Sequence, residues 1–147
     1  MAGADIVVCS HPHVIEPFGV LKTSAGKQAL VFWSLGNYIS NQKKLGTVLG
    51  GAAKFEVQKT IDEKGNATIE VTKASFEGTV TYLDTTGFSS VPLRDYTPEM
   101  HEKHLWKDKM ENFTVDELNN LYSRIVSSYK ETNLVPVGQG LPFTIVR

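Results

Sequence analysis

An unbroken apolar run, Ile6-Val7-Val8, leads within two residues into Ser10-His11-Pro12-His13, and this junction constrains the fold more than any other stretch. β-Branched residues without polar alternation read as a strand over residues 5–9 buried on both faces. That is the pattern of a strand inside a layered α/β or α+β sheet. Side chains two apart in an extended segment share a face. Pro12 fixes its own φ and removes a backbone donor, which stiffens the pair. The spacing therefore predicts two imidazoles aimed at one point, a metal-ligand arrangement at a strand end. Imidazole suits Zn, Mn, Fe or Ni. The plainer alternative is a turn carrying two surface or hydrogen-bonded histidines.

The rest of the pattern is also rich in strands. Phe18-Gly19-Val20-Leu21, the turn residues Ser24-Ala25-Gly26-Lys27 and Ala29-Leu30-Val31-Phe32-Trp33 predict a hairpin. Ser34-Leu35-Gly36-Asn37-Tyr38-Ile39 ends it with a Gly-Asn turn signal. Residues 54–60 alternate, with Phe55 and Val57 on one face. A polar turn at Asp62-Glu63-Lys64-Gly65-Asn66 follows, and residues 68–72 alternate again with Ile69 and Val71 inward. Val80 and Tyr82 continue the alternation in a third strand. Together these predict an antiparallel meander with one wet face. Phe32, Trp33, Phe55 and Tyr82 are expected to pack in the core rather than line a groove.

Near Pro92 the character changes. Residues 98–112 are densely charged and predict a short helix or an ordered surface segment. Thr114-Val115-Asp116-Glu117 has the form of a capping box, and Val115, Leu118, Leu121, Ile125, Val126 and Tyr129 recur at helical spacing, predicting a helix over 115–131. The tail, 135–147, carries Pro136, Gly138, Gly140 and Pro142 and reads as irregular. The expected division is 1–96 and 97–147. The expected class is α+β, mainly antiparallel or mixed sheet with a C-terminal helix.

Composition narrows the function classes. The 147 residues include 41% hydrophobic side chains, enough for a core, and a formal net charge of −1 argues against a nucleic-acid partner. Cys9 is the single cysteine, so no internal disulfide forms, and a small buried thiol at the strand end is expected of it. No segment approaches the roughly 20 apolar residues of a membrane span. The opening Met1-Ala2-Gly3-Ala4-Asp5 has no basic region or long apolar core, so any anchor or export signal is expected outside this chain. His101-Glu102-Lys103-His104 is one residue short of the zinc-protease spacing and reads as solvated surface. Asp5 is expected at the loop entering the first strand and Glu16 on the surface near the histidines.

Two blocks taken together are more specific. Gly3-Ala4-Asp5-Ile6-Val7-Val8-Cys9-Ser10-His11-Pro12-His13-Val14, followed by Ser34-Leu35-Gly36-Asn37-Tyr38-Ile39, resembles the bacterial capsule-synthesis family (CapA/PgsA-like, poly-γ-glutamate synthesis), a branch of the calcineurin-like metallophosphatases. The resemblance is strong over 3–40, loose to about 85 and absent beyond about 96. It implies half of a metallophosphatase-like sandwich, with His11 and His13 as the last two ligands of a two-metal centre holding Mn, Zn or Fe. Those metals would polarise a phosphoryl or acyl-phosphate oxygen. Ser10 stands where the wider superfamily commonly has glycine, beside the ligands. Asn37 would lie near the site, either orienting a ligand or simply forming the turn.

The superfamily's remaining ligands belong to earlier motifs, and none of those motifs is in this chain. The resemblance thus implies a C-terminal part of a larger protein, inactive alone, with metal binding weak or absent. Its partners would be the missing N-terminal half and the capsule polymer or its synthesis machinery. Its place would be the bacterial cell surface, anchored through a segment outside this sequence. The competing reading is a non-catalytic binding or assembly module that forms a homo-oligomer through exposed strand edges.

Overall fold

A computed structural model describes residues 3–128 and 134–145. Two sheets carry the fold, as the α+β expectation requires. The first has the order β1-β3-β2-β7, built from β1 (Ile6–Val8), β2 (Phe18–Lys22), β3 (Gln28–Phe32) and β7 (Leu134–Val135). β2 and β3 form the expected hairpin, with Phe18 opposite Phe32 and Lys22 opposite Gln28. Gly26, at φ +76°, makes its turn. β1 lies parallel to β3, Val8 beside Phe32. It is the outermost strand of this sheet among the described residues. The expectation of burial on both faces is therefore corrected: Ile6 and Val7 are half-buried and Val8 is exposed. The apolar run marked a strand correctly but not its neighbours, because only β3 flanks it.

The second sheet contains β4 (Leu49–Ile61), β5 (Ala67–Asp84) and β6 (Gly87–Pro92), with β8 (Phe143–Ile145) also on β5. The meander forms, but with different strands from those expected. Residues 68–72 and 80–82 belong to one strand, since no turn residue pair interrupts 73–79. Its bend is a register shift opposite Glu56 and Val57. The third strand begins only after the Asp84–Gly87 turn. The tail is not irregular: β7 joins β2, α4 (Val137–Gly140) lays Gly140 on Val20, and β8 sets Phe143 beside Val71. These elements follow from partners far away in sequence, which local turn residues cannot reveal.

α1 (Leu45–Val48) leads into β4, and α2 (Pro98–Lys103) starts on Thr97, whose hydroxyl accepts from Met100 N. α3 (Val115–Ser127) starts as expected, with Thr114 Oγ1 accepting from Glu117 N at 3.1 Å. The reciprocal arm of the capping box is replaced: Arg124 donates to the Glu117 carboxylate at 3.0 Å. The positions expected helical after residue 128 lie outside the described residues. α3 packs through buried Leu118 and through Tyr122, whose ring stacks on Phe76 and whose hydroxyl donates to Phe76 O at 2.6 Å. A side chain at Gly78 would strike that Tyr122 ring. One core cluster joins Phe32, Val20 and Val48 to Val80, Trp106 and Leu118, so both sheets and α3 share it.

Candidate functional site

The two blocks singled out in the sequence are one structural unit. Leu35 N donates to Cys9 O at 2.8 Å, Glu16 N donates to Ser34 O at 3.1 Å, and Ile15 bridges Leu35 in antiparallel fashion. Ser34-Leu35 is thus clasped between the end of β1 and the chain returning from the histidine loop. Buried Ser34 accepts from Gly36 N through Oγ at 3.1 Å. Gly36 adopts φ +62°, and a Cβ there would stand 3.0 Å from Ile15 N and 3.1 Å from Leu49 O. At Gly50 a Cβ would stand 1.9 Å from Asn37 O. Glycine at both positions is what lets three backbone segments meet here.

The histidine loop itself is tighter than the sequence predicts. Residues 10–13 are not extended; they turn, with His13 N donating to Ser10 O at 3.5 Å, and His13 enters the left-handed region at φ +63°. The shared-face argument for His11 and His13 therefore fails, because it holds only for extended backbone. The plainer alternative describes the backbone: His11 and His13 are both exposed on a turn. Ser10 is exposed and takes part through its carbonyl.

His13 is nevertheless held. Its Nδ1 lies 2.7 Å from Asn37 Oδ1. Asn37 Nδ2 faces His13 O at 3.2 Å, Thr47 O at 3.0 Å and Gln42 Oε1 at 3.3 Å. Two of those acceptors are backbone carbonyls, so the amide nitrogen must face them and the amide oxygen must face the ring. His13 Nδ1 is therefore the donor, and in the neutral ring that tautomer leaves the Nε2 lone pair unprotonated. Asn37, weighed as either a ligand-orienting or a turn-forming residue, bonds the His13 ring and two backbone carbonyls. Gln42 and Thr47 carry no motif signal and escaped the sequence reading.

Asn37 is buried, and the chain beyond it carries exposed Tyr38 and Ile39 before Gln42, Lys43 and Lys44. Lys43 Nζ sits 5.8 Å over the Trp106 ring, which ties this loop to a second histidine region. There the solvated-surface expectation is corrected. His104 is 1% exposed. Its Nε2–H donates to Thr81 O at 3.1 Å, and its Nδ1 accepts from Trp106 N at 3.1 Å. The Tyr82, Phe113 and Trp106 rings lie 5.4, 5.0 and 5.6 Å away. Burial pushes the His104 pKa down. His101 meets the Tyr96 hydroxyl at 3.1 Å. The charges at Glu102, Lys103, Lys107 and Asp108 hid a core histidine. The aromatic density of Tyr96, Trp106 and Phe113 was the signal that could have found it.

Other sequence expectations fare unevenly. Phe32 and Tyr82 are core, Trp33 is half-buried, and Phe55 is exposed because the distal half of β4 leaves the core. Cys9 is a free thiol, half-buried rather than buried. Among the described residues no group of three or more His, Cys, Asp or Glu side chains is placed to hold a metal. The donors fit a metal in part: one oriented imidazole with a free Nε2, and a second imidazole two residues away. Four ligands are usual for zinc.

Residues 1–42 match the family model described as bacterial capsule synthesis protein PGA_cap. The chain is similar to the capsule biosynthesis protein CapA of Bacillus anthracis, 28% identical over 109 residues, covering 74% of this chain and 24% of that protein. It is also similar to the PGA biosynthesis protein CapA of Bacillus subtilis (strain 168), 35% identical over 71 residues, covering 48% of this chain and 16% of that protein. The matches thus span about a quarter of the one relative and about a sixth of the other. No solved structure gives a significant match. Among the described residues no helix is long and apolar enough to cross a membrane.

Proposed function

We propose a function for this chain from the premise that it is a CapA-like capsule synthesis family member, at low identity to its relatives. It contributes His13, and with it His11, to a divalent metal site in capsule biosynthesis, and the remaining ligands come from residues outside this sequence. The polymer concerned is the one the name of the B. subtilis relative abbreviates, PGA. The observation that carries the reading is the Asn37–His13 hydrogen bond, which leaves Nε2 as the free ligand atom. A buried amide that orients one imidazole nitrogen and bares the other is the usual support of a histidine ligand.

Mn, Zn or Fe would suit such imidazole donors. When bound, the metal would polarise a phosphoryl or acyl-phosphate oxygen. The chain's own residues do the rest. Asn37 sets the tautomer and the ring plane. Gly36 and Gly50 admit the Asn37 backbone between the histidine loop and β4, and Ser34 pins the turn. With two imidazoles the affinity of this chain alone is weak, and it has no hydrolytic activity by itself.

Calorimetric titration of the chain with Zn²⁺ and Mn²⁺ tests this. The expected result is a dissociation constant on the order of 10 μM or weaker, abolished by His13→Ala. Tight stoichiometric binding would contradict the claim that ligands lie elsewhere, and an unchanged isotherm in His13→Ala would remove the site.

A further inference from the structure

Among the described residues, the distal half of β4 is an open edge with an apolar face. From Lys54 to Ile61 every residue is exposed. Phe55, Val57 and Ile61 lie on one face and remain 42%, 48% and 61% exposed. β5 covers one edge of β4. On the other edge, Gly51 N donates to Leu35 O at 2.8 Å, and among the described residues backbone pairing on that edge goes no further. Backbone direction alternates along a strand. Beyond Gly51, the N–H and C=O groups of Phe55, Val57, Lys59 and Ile61 therefore point along that same outer edge.

We propose that this edge pairs with a second copy of the chain, β4 against β4, antiparallel about a two-fold axis at Gln58. The self-complementarity of the sequence argues for a second copy as partner, and the length of free edge narrows the register. An axis at Phe55 would set Lys54 opposite Glu56, but it runs Lys59 onto Gly51, whose N already donates to Leu35 O. An axis at Gln58 sets Phe55 opposite Ile61 on the apolar face. On the polar face it sets Lys54, which also holds Glu77, opposite Asp62, whose carboxylate also braces the turn after β4; Glu56 falls opposite Thr60 and Gln58 opposite itself. Moving the axis to Glu56 puts two carboxylates face to face. Moving it to Lys59 puts two ammonium groups face to face. An axis at Val57 sets Val57 opposite itself but gives neither Lys54 nor Glu56 an oppositely charged partner, since they face Thr60 and Gln58. Direct cross-strand neighbours of like charge are destabilising, whereas apolar and opposite-charge pairs stabilise. In the Gln58 register Lys59 meets Val57, and its aliphatic stem covers that side chain while the ammonium reaches water.

The proposal is independent of any metal at His13. An isologous contact of one strand each is small, so the dimer is weak and concentration-dependent. Sedimentation velocity of the chain, from about 5 to about 500 μM, should show monomer giving way to dimer. Ile61→Lys, at an exposed position, should weaken the dimer by about tenfold or more. In a Cys9→Ser background, Gln58→Cys should form a disulfide dimer under mild oxidation, because axial residues of a non-hydrogen-bonded pair stand within bridging distance. Thr60→Cys, which meets Glu56, should not. A strict monomer at every concentration would assign the edge to a different partner and overturn the proposal. So would equal crosslinking at Thr60.

Discussion

His11-Pro12-His13 and His101-Glu102-Lys103-His104 look alike as sequence, two histidine pairs among polar residues, yet they end in opposite chemical states. His104 spends both ring nitrogens inside an aromatic cluster, on Thr81 O and Trp106 N. His13 spends one nitrogen on Asn37 and keeps the other at the surface. Availability for chemistry therefore follows from which backbone and amide groups claim each nitrogen, not from the spacing of the histidines. Of the first pair, His13 is held by Asn37 at an exposed turn; of the second, His104 fastens its segment onto β5 through Thr81 O.

The comparison breaks most easily at His104. Replacing it with Ala leaves Thr81 O and Trp106 N unpaired and opens a cavity, so urea unfolding should show a loss of about 3 kcal/mol. His11→Ala should change stability by less than about 0.5 kcal/mol, as exposed positions do. Similar losses at the two positions would erase the distinction.

Acid sharpens the same contrast. The folded-state pKa of His104 lies below its unfolded value of 6.5, because burial disfavours the cation. A depressed pKa means that the unfolded chain binds the proton first. Its stabilising contribution is complete above about pH 6.5 and is lost as pH falls from there toward the folded pKa, with a slope of up to about 1.4 kcal/mol per unit. His101 and the Tyr82 and Tyr96 hydroxyls belong to the same cluster, and Tyr82 and Tyr96 are pushed upward by burial, so both remain neutral through this range. Thermal melts between pH 7.5 and 5 should show the wild type losing stability while His104→Gln, measured against its own value at neutral pH, loses less. Parallel curves would remove His104 as the cause.

Asn37→Ala is a smaller perturbation on the other side of the comparison. It deletes the bonds to His13 and Thr47 from a buried position and should cost about 1–2 kcal/mol in unfolding free energy. Its larger effect is on metal: Zn²⁺ affinity should fall by about tenfold or more, since the ring loses its fixed tautomer. Full Zn²⁺ affinity in that variant would show that Asn37 only shapes the turn.

What the sequence made legible was local or contiguous. The hairpin around Gly26, the Thr114 cap of α3 and the two blocks that meet at Leu35 all announce themselves within a few residues. The histidine loop was half legible: its residues stood out, but Pro12 suggested extension where the chain turns and His13 takes a positive φ. Contacts between distant segments stayed hidden. β8 finds β5 across more than seventy residues of chain, between Thr144 and Glu70, and nothing near Pro142 announces a strand. His104 was masked by the charges beside it, since hydropathy averages over a window whereas burial is decided side chain by side chain. The uninterrupted β5 was misread because alternation does not show where one strand ends unless a turn residue says so.

The central claim, that Asn37 holds His13 with Nδ1 protonated and Nε2 free for a metal, is tested most directly by long-range nitrogen–proton NMR of the histidine rings during a Zn²⁺ titration. The account predicts a neutral Nδ1–H tautomer at His13, an Nε2–H tautomer at His104, and Zn²⁺-dependent shifts at His13 Nε2 with none at His104. An Nε2–H tautomer at His13, or a His13 ring that ignores Zn²⁺ at millimolar concentration, would contradict it.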